Sequence, residues 1–148
     1  MTTLMEAIKI ADIHKERIIK AIQHLEPLFP IKAASLEHLQ EIDMLYLEML
    51  TSRFSKLQDY IGSTLIDLFL DSQAEMTLRL SMLDKLHLLE KLGVIKDSFS
   101  WQRMREIRNH LAHEYPSVPD ITAKHLNDVF YCIPDLLALL YSIKNYSK

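Results

Sequence analysis

Only two glycines, Gly62 and Gly93, occur in 148 residues. No other feature constrains the fold of this chain so strongly. Glycine supplies the positive-φ conformations that tight turns and hairpins need. A chain with two of them argues against a sheet-rich fold, and it holds no glycine-rich loop to cradle phosphates. Apolar periodicity instead reads as helix along nearly the whole length.

Leu4, Ile8, Ala11, Ile18, Ile22 and Leu25 recur at helical steps and predict a first helix over about Thr3 to Leu25. Pro27 and Pro30 are expected to end it, because proline lacks an N–H and restricts the residue before it. Ser35 is the expected cap of a second helix, with Glu37 and Glu41 in its early turns. The stripe Leu36, Leu39, Leu47, Leu50, Phe54, Leu57, Ile61, Leu65 and Leu68 predicts one long helix to about Ser72, with a bend or break at Gly62. Thr77 is expected to cap a shorter helix carrying Leu80, Leu83, Leu86 or His87, and Leu89 to Leu92, with Gly93 as a left-handed C-cap. A fourth helix begins near Ser98 or Ser100, carries Trp101, Met104, Arg108 and Leu111, and stops before Pro116. Asp120 is expected to cap a last helix bearing Leu126, Val129, Phe130, Ile133, Leu136, Leu137, Leu140 and Ile143, kinked at Pro134. The expected architecture is all-α: one domain over residues 1–148, an up-and-down bundle of four to five helices.

Hydrophobic residues make up 49% of the chain, enough for a substantial core. The formal net charge of −3 weighs mildly against broad nucleic-acid binding but permits a local basic cleft. Cys132 is the single cysteine, so neither an internal disulfide nor a cysteine zinc site is expected, and its apolar neighbours suggest a buried thiol. The reduced cytoplasm is the expected compartment. The N-terminus lacks the pattern of a signal peptide, and no run of about 18 apolar residues is seen, so no membrane-crossing helix is expected.

The chemistry concentrates in Arg108-Asn109-His110-Leu111-Ala112-His113-Glu114-Tyr115-Pro116. Arg108 can hold a phosphate through two parallel N–H donors. His113 can move protons near neutral pH. On an ideal helix Arg108 and Tyr115 fall on nearly the same face, and Asn109 stacks one turn before His113, but Arg108 and His113 lie roughly 140° apart. They converge on one phosphate only if the helix deforms before Pro116 or a second copy supplies part of the site. Asn109 or Glu106 can fix the tautomer of His113. A plainer alternative stands beside this: basic residues at a helix C-terminus are favoured by the dipole, and His110 and His113 can simply serve there. Glu106, His110, His113 and Glu114 also lie close in sequence, but without a His-Glu-x-x-His arrangement or a thiolate a metal is not expected. His14, His24, His38, His87 and His125 are scattered among charged helix positions, where solvated or half-buried roles suffice.

The motif Arg108, Asn109, His113 with Tyr115 two residues beyond resembles the HEPN superfamily, specifically the HepT-like toxins paired with small MNT-type nucleotidyltransferases. The resemblance extends to Ser52–Asp59, which looks like the family's second-helix signature, to Leu83–Leu86 with Leu89–Gly93, and to Pro134–Leu140 in the closing helix. The motif itself shows no departure. The resemblance implies an all-α homodimer with the motif helices meeting at the interface. It implies a metal-independent endoribonuclease without a cofactor, leaving 2′,3′-cyclic phosphate ends. His113 would be general base or acid, Arg108 would stabilise the phosphate oxygens, and Asn109 would orient or contact the phosphate. Arg53, Asp59 and His110 would support the motif or bind RNA, given a shared cleft. The partner nucleotidyltransferase would silence the toxin by transferring adenylate from ATP to Tyr115. The rival reading is a non-catalytic HEPN protein that binds a nucleotide or its nucleotidyltransferase partner; a purely structural helical adaptor is a third.

Overall fold

The computed structural model describes residues 1–75, 77, 79–111 and 118–147. Among them there is no strand, and six α-helices carry the chain: α1 (Leu4–Leu25), α2 (Glu41–Tyr60), α3 (Ile66–Ser72), α4 (Met82–Lys91), α5 (Ser98–Leu111) and α6 (Pro119–Lys144). The protein is thus the all-α bundle that the periodicity predicts. A π turn, Ile61–Leu65, joins α2 to α3 without a break, so the six segments make five rods.

The start of α1 follows from its sequence. Thr3 Oγ1 accepts the Glu6 N–H at 3.1 Å, and Glu6 accepts the Thr3 N–H at 3.0 Å. This reciprocal pair satisfies two of the donors that every helix start leaves open. Ala7, Ala11, Ile18, Ala21 and Leu25 are buried, and three small residues among them let α2 approach closely. The two helices run antiparallel, tied by His24 to Asp43 at 2.8 Å and by Arg53 to His14 at 3.2 Å.

The beginning of α2 departs from the expectation. Ser35 does not cap it. Residues Ala33–His38 form a 3-10 helix, and α2 starts at Glu41 behind Gln40, whose N–H donates to Asp43 Oδ2 at 3.1 Å. Leu36 and Leu39 still pack against the core. Their three-residue spacing suits a 3-10 turn as well as an α-helix, so periodicity did not separate the two.

The bend expected at Gly62 is the π turn. Trp101 of α5 lies against Gly62, where a Cβ would sit 3.0 Å from Trp101 Cζ2. The stripe expected to run through Ile61, Leu65 and Leu68 passes instead through Ile61 and Leu65 to Ile66, Phe69 and Leu70, with Leu68 only partly buried. One wide turn shifts the buried face by one residue.

Ser81, not Thr77, caps α4: its Oγ accepts the Asp84 N–H at 3.1 Å and Asp84 accepts the Ser81 N–H at 3.3 Å. Thr77 has Leu80 three residues on and cannot form that box; its hydroxyl donates to Asp71 at 3.0 Å. Leu80 therefore precedes the helix and Leu83 is exposed, while Leu86 and Leu89 are buried. Gly93 closes α4 as expected, with φ of +76°. Its N–H donates to the Glu90 carbonyl at 3.0 Å and that of Val94 to Leu89 at 2.9 Å.

Asp120 is not the cap of α6. Val118 holds that position, Pro119 is the first helical residue and Asp120 lies in the first turn. Proline is at home there because its fixed φ is helical and its missing N–H would have been unpaired anyway. α6 continues unbroken through Pro134 to Lys144. Against the expectation that no stretch would qualify, α6 is long and apolar enough to cross a membrane by length and composition. In this fold those apolar residues serve the bundle: Val129, Ile133, Leu136, Leu140 and Ile143 are buried in the common core. Cys132 is buried, and burial pushes its thiol up to about 12.

α2 lies at the centre, packed by α1, α5 and α6. Gly62 beside Trp101 and Asp59 beside Arg108 show that α5 runs antiparallel to α2. Asn127 of α6 clamps the connection between α1 and α2, accepting the Ile31 N–H and donating to the Ile31 carbonyl, both at 2.8 Å.

Candidate functional site

The last turn of α5 brings Arg108 beside Asp59 in the last turn of α2. Arg108 Nε donates to Asp59 Oδ1 at 2.8 Å and Nη2 donates to Oδ2 at 2.7 Å. Two parallel bonds fix the plane of the guanidinium, which a single contact would leave free to rotate. Asp59 holds the Arg108 guanidinium above its ordinary pKa range, so the cation is permanent. Arg108 is 31% exposed and Asp59 51%, so the pair sits at the surface. Its worth to stability is therefore small, about 0–1 kcal/mol. A guanidinium carries five N–H donors, and Asp59 takes two.

The two residues after Arg108 are exposed. Asn109 faces solvent. His110 stacks on His125 of α6, with ring centroids 5.2 Å apart and planes 18° from parallel. Burial, the neighbouring His110 and Lys124 all push the His125 pKa down, with Asp128 opposing. The shift favours the neutral imidazole.

Beside this histidine pair opens a groove of about 850 Å³. α2 forms one wall with Met44, Leu47, Glu48, Thr51, Ser52 and Ser55; the 3-10 helix adds Leu36 and Glu37; α5 and α6 close it with His110, Leu111, His125 and Leu126. Glu48, Ser52, Ser55 and Asp59 recur at four, three and four residues, a polar stripe down the same side of α2. Asp59 is one turn beyond Ser55, and Arg108 is one turn before Leu111. The groove thus ends about one helical turn, ~5.4 Å, from the Arg108–Asp59 pair along both helices.

Arg53 belongs to a different surface. Its Nη1 meets His14 Nδ1 at 3.2 Å, on the side of α2 that faces α1. Burial, Arg53 and Lys56 push the His14 pKa down. Arg53 and Asp59 are six residues apart on one helix and so point about 120° apart. Of the two, Asp59 is brought to Arg108 and Arg53 is not.

His113, Glu114 and Tyr115 lie outside the described residues, and with them the expected stacking of Asn109 on His113 and of Arg108 on Tyr115. Among the described residues no group of three or more His, Cys, Asp or Glu side chains is placed to hold a metal ion. His125 is the residue that the sequence reading passed over. No local pattern marks it, because it reaches His110 only through the antiparallel pairing of α5 and α6. The polar stripe on α2, by contrast, was readable as four hydrophilic residues at helical spacing.

No family model matches the chain, and neither does any curated protein or solved structure.

Proposed function

We propose that this chain is a HEPN-like, metal-independent endoribonuclease, the toxin of a toxin–antitoxin pair, cutting RNA through Arg108, Asn109 and His113. The observation that supports this reading best is the setting of Arg108. It is a permanent cation, oriented by Asp59, about one helical turn from the end of a large groove, and five residues before His113. That is what a group must be to meet a phosphate whose negative charge grows in the transition state.

In the proposed reaction a ribose 2′-oxygen attacks the adjacent phosphorus and loses its proton to a general base. The bond from phosphorus to the 5′-oxygen breaks, and that oxygen takes a proton from a general acid. The products are a 2′,3′-cyclic phosphate and a 5′-hydroxyl. His113 takes one of the two proton-transfer roles, effective because an ordinary imidazole titrates near working pH. Arg108 presents the N–H donors not held by Asp59 to the phosphate oxygens, and Asn109, exposed beside it, contacts or orients the same group. Asp59 is a positioning residue: it fixes the fork while offsetting part of its charge.

The reading includes a homodimer, a cytoplasmic setting, and silencing by an MNT-type nucleotidyltransferase that moves adenylate onto Tyr115. An anionic group placed there would compete with RNA for Arg108. The deciding experiment is incubation of the purified protein with RNA in excess chelator. Cyclic-phosphate ends that disappear in His113→Ala support the assignment; undiminished cutting by that variant overturns it. Intact mass after mixing with ATP and the partner transferase tests the control, and adenylate on any residue but Tyr115 refutes it.

A further inference from the structure

The groove beside Arg108 is divided in its chemistry. Its floor is apolar, with Leu47 and Leu126, and its rim carries two carboxylates, Glu37 and Glu48. Both glutamates are exposed. The His110–His125 stack stands at one side, and both rings line the groove. Such a cavity repels a phosphate and accepts a flat, largely apolar group that offers hydrogen-bond donors. The permanent cation lies outside it, about one helical turn away along α2 and α5 (~5.4 Å). A nucleotide has the same division: an anionic phosphate, then across one ribose a flat base.

We propose that this groove is a base-binding subsite that seats the nucleobase next to the scissile phosphate and prefers a base with an exocyclic amino group. The proposal rests on the nuclease reading for its phosphate and adds the substrate selectivity. Carboxylates only accept hydrogen bonds at neutral pH. Adenine, cytosine and guanine each offer an amino group to Glu48 or Glu37; uracil offers two carbonyls and a single N–H. A uracil carbonyl facing a carboxylate leaves two acceptors opposed. His110 and His125 supply a stacking face.

Two measurements test it independently. The first sequences the cut ends of an RNA pool randomised around one position. Wild-type protein is expected to disfavour uracil beside the cut by roughly five- to tenfold, the net effect of one hydrogen bond at an exposed site. Glu48→Gln, whose amide can also donate to a carbonyl, is expected to bring uracil within about twofold of the other bases. Equal use of all four bases by the wild type, or an unchanged preference in both Glu48→Gln and Glu37→Gln, overturns the subsite while leaving the nuclease standing. The second measurement titrates adenosine and uridine into isotope-labelled protein, with no cleavage required. Shifts confined to the groove, larger for adenosine and reduced in His125→Ala, support the subsite even if no RNA is ever cut. Shifts elsewhere, or the same for both nucleosides, refute it.

Discussion

The two ends of α5 meet α2 in opposite ways. At the first turn Trp101 is buried against Gly62, 2% exposed, so close that a single added carbon would press on its ring. About two turns later Arg108 meets Asp59 at the surface, through charges that water can reach. One end joins the helices by volume and the other by direction. Burial of a large aromatic contributes several kcal/mol. An exposed ion pair contributes little, but it sets the plane of a guanidinium. The packed end holds α5 in place so that the polar end can stay open to a ligand.

The contrast can be broken at its strong end first. Trp101→Ala is expected to cost about 3–5 kcal/mol, read as a lowered midpoint in thermal or denaturant unfolding, with α5 losing protection in hydrogen exchange. A cost under about 1 kcal/mol would mean that α5 is held elsewhere. Gly62→Ala comes next. Alanine is the better helix former by about 1 kcal/mol, yet its Cβ would meet Trp101 Cζ2 at 3.0 Å. We expect net destabilisation of about 1–2 kcal/mol; a stabilised variant would show that Trp101 can retreat. At the weak end, Asp59→Ala should move stability by less than about 1 kcal/mol while lowering the proposed RNA cleavage roughly tenfold through loss of orientation. Faster cleavage would instead make Asp59 a restraint on Arg108.

The smallest effect is one of pH. Burial lowers the His14 pKa from its usual 6.5 in the folded protein. Stability from this group is therefore full above pH 6.5 and declines as the pH falls toward the folded value, because the unfolded chain takes up the proton first. His14→Gln should flatten that part of the stability profile, measured by denaturant unfolding between about pH 7 and 5. An unchanged slope would show that His14 gains its proton as easily when folded.

The fold was largely legible because helices announce themselves locally. Thr3, Gly93 and the leucine stripes carry their roles in a few neighbouring residues. The boundaries of α2 and α4 were less so. Leu36 and Leu39 fit two helix types, and Ser81 outcompetes Thr77 only because Asp84 stands three residues beyond it. The candidate site was legible in its chemistry and not in its partners. Arg108 stood out as a fixed cation, but Asp59 reaches it across 49 residues of sequence, and Arg53, equally basic, turns toward α1. Periodicity ranks the faces of one helix; it does not say which neighbour each face will find. His125 shows the same limit, since only the pairing of α5 with α6 sets it on His110.

The π turn at Ile61–Leu65 gives the rod one place where its length can change. The turn takes up one residue more than ordinary pitch would, so removing a single residue from it restores that pitch and leaves Phe69 and Leu70 directed at the interior that encloses them. The same deletion in the middle of α2 would swing every later side chain by about 100°. A one-residue deletion should therefore be tolerated in this turn far better than anywhere else along the rod.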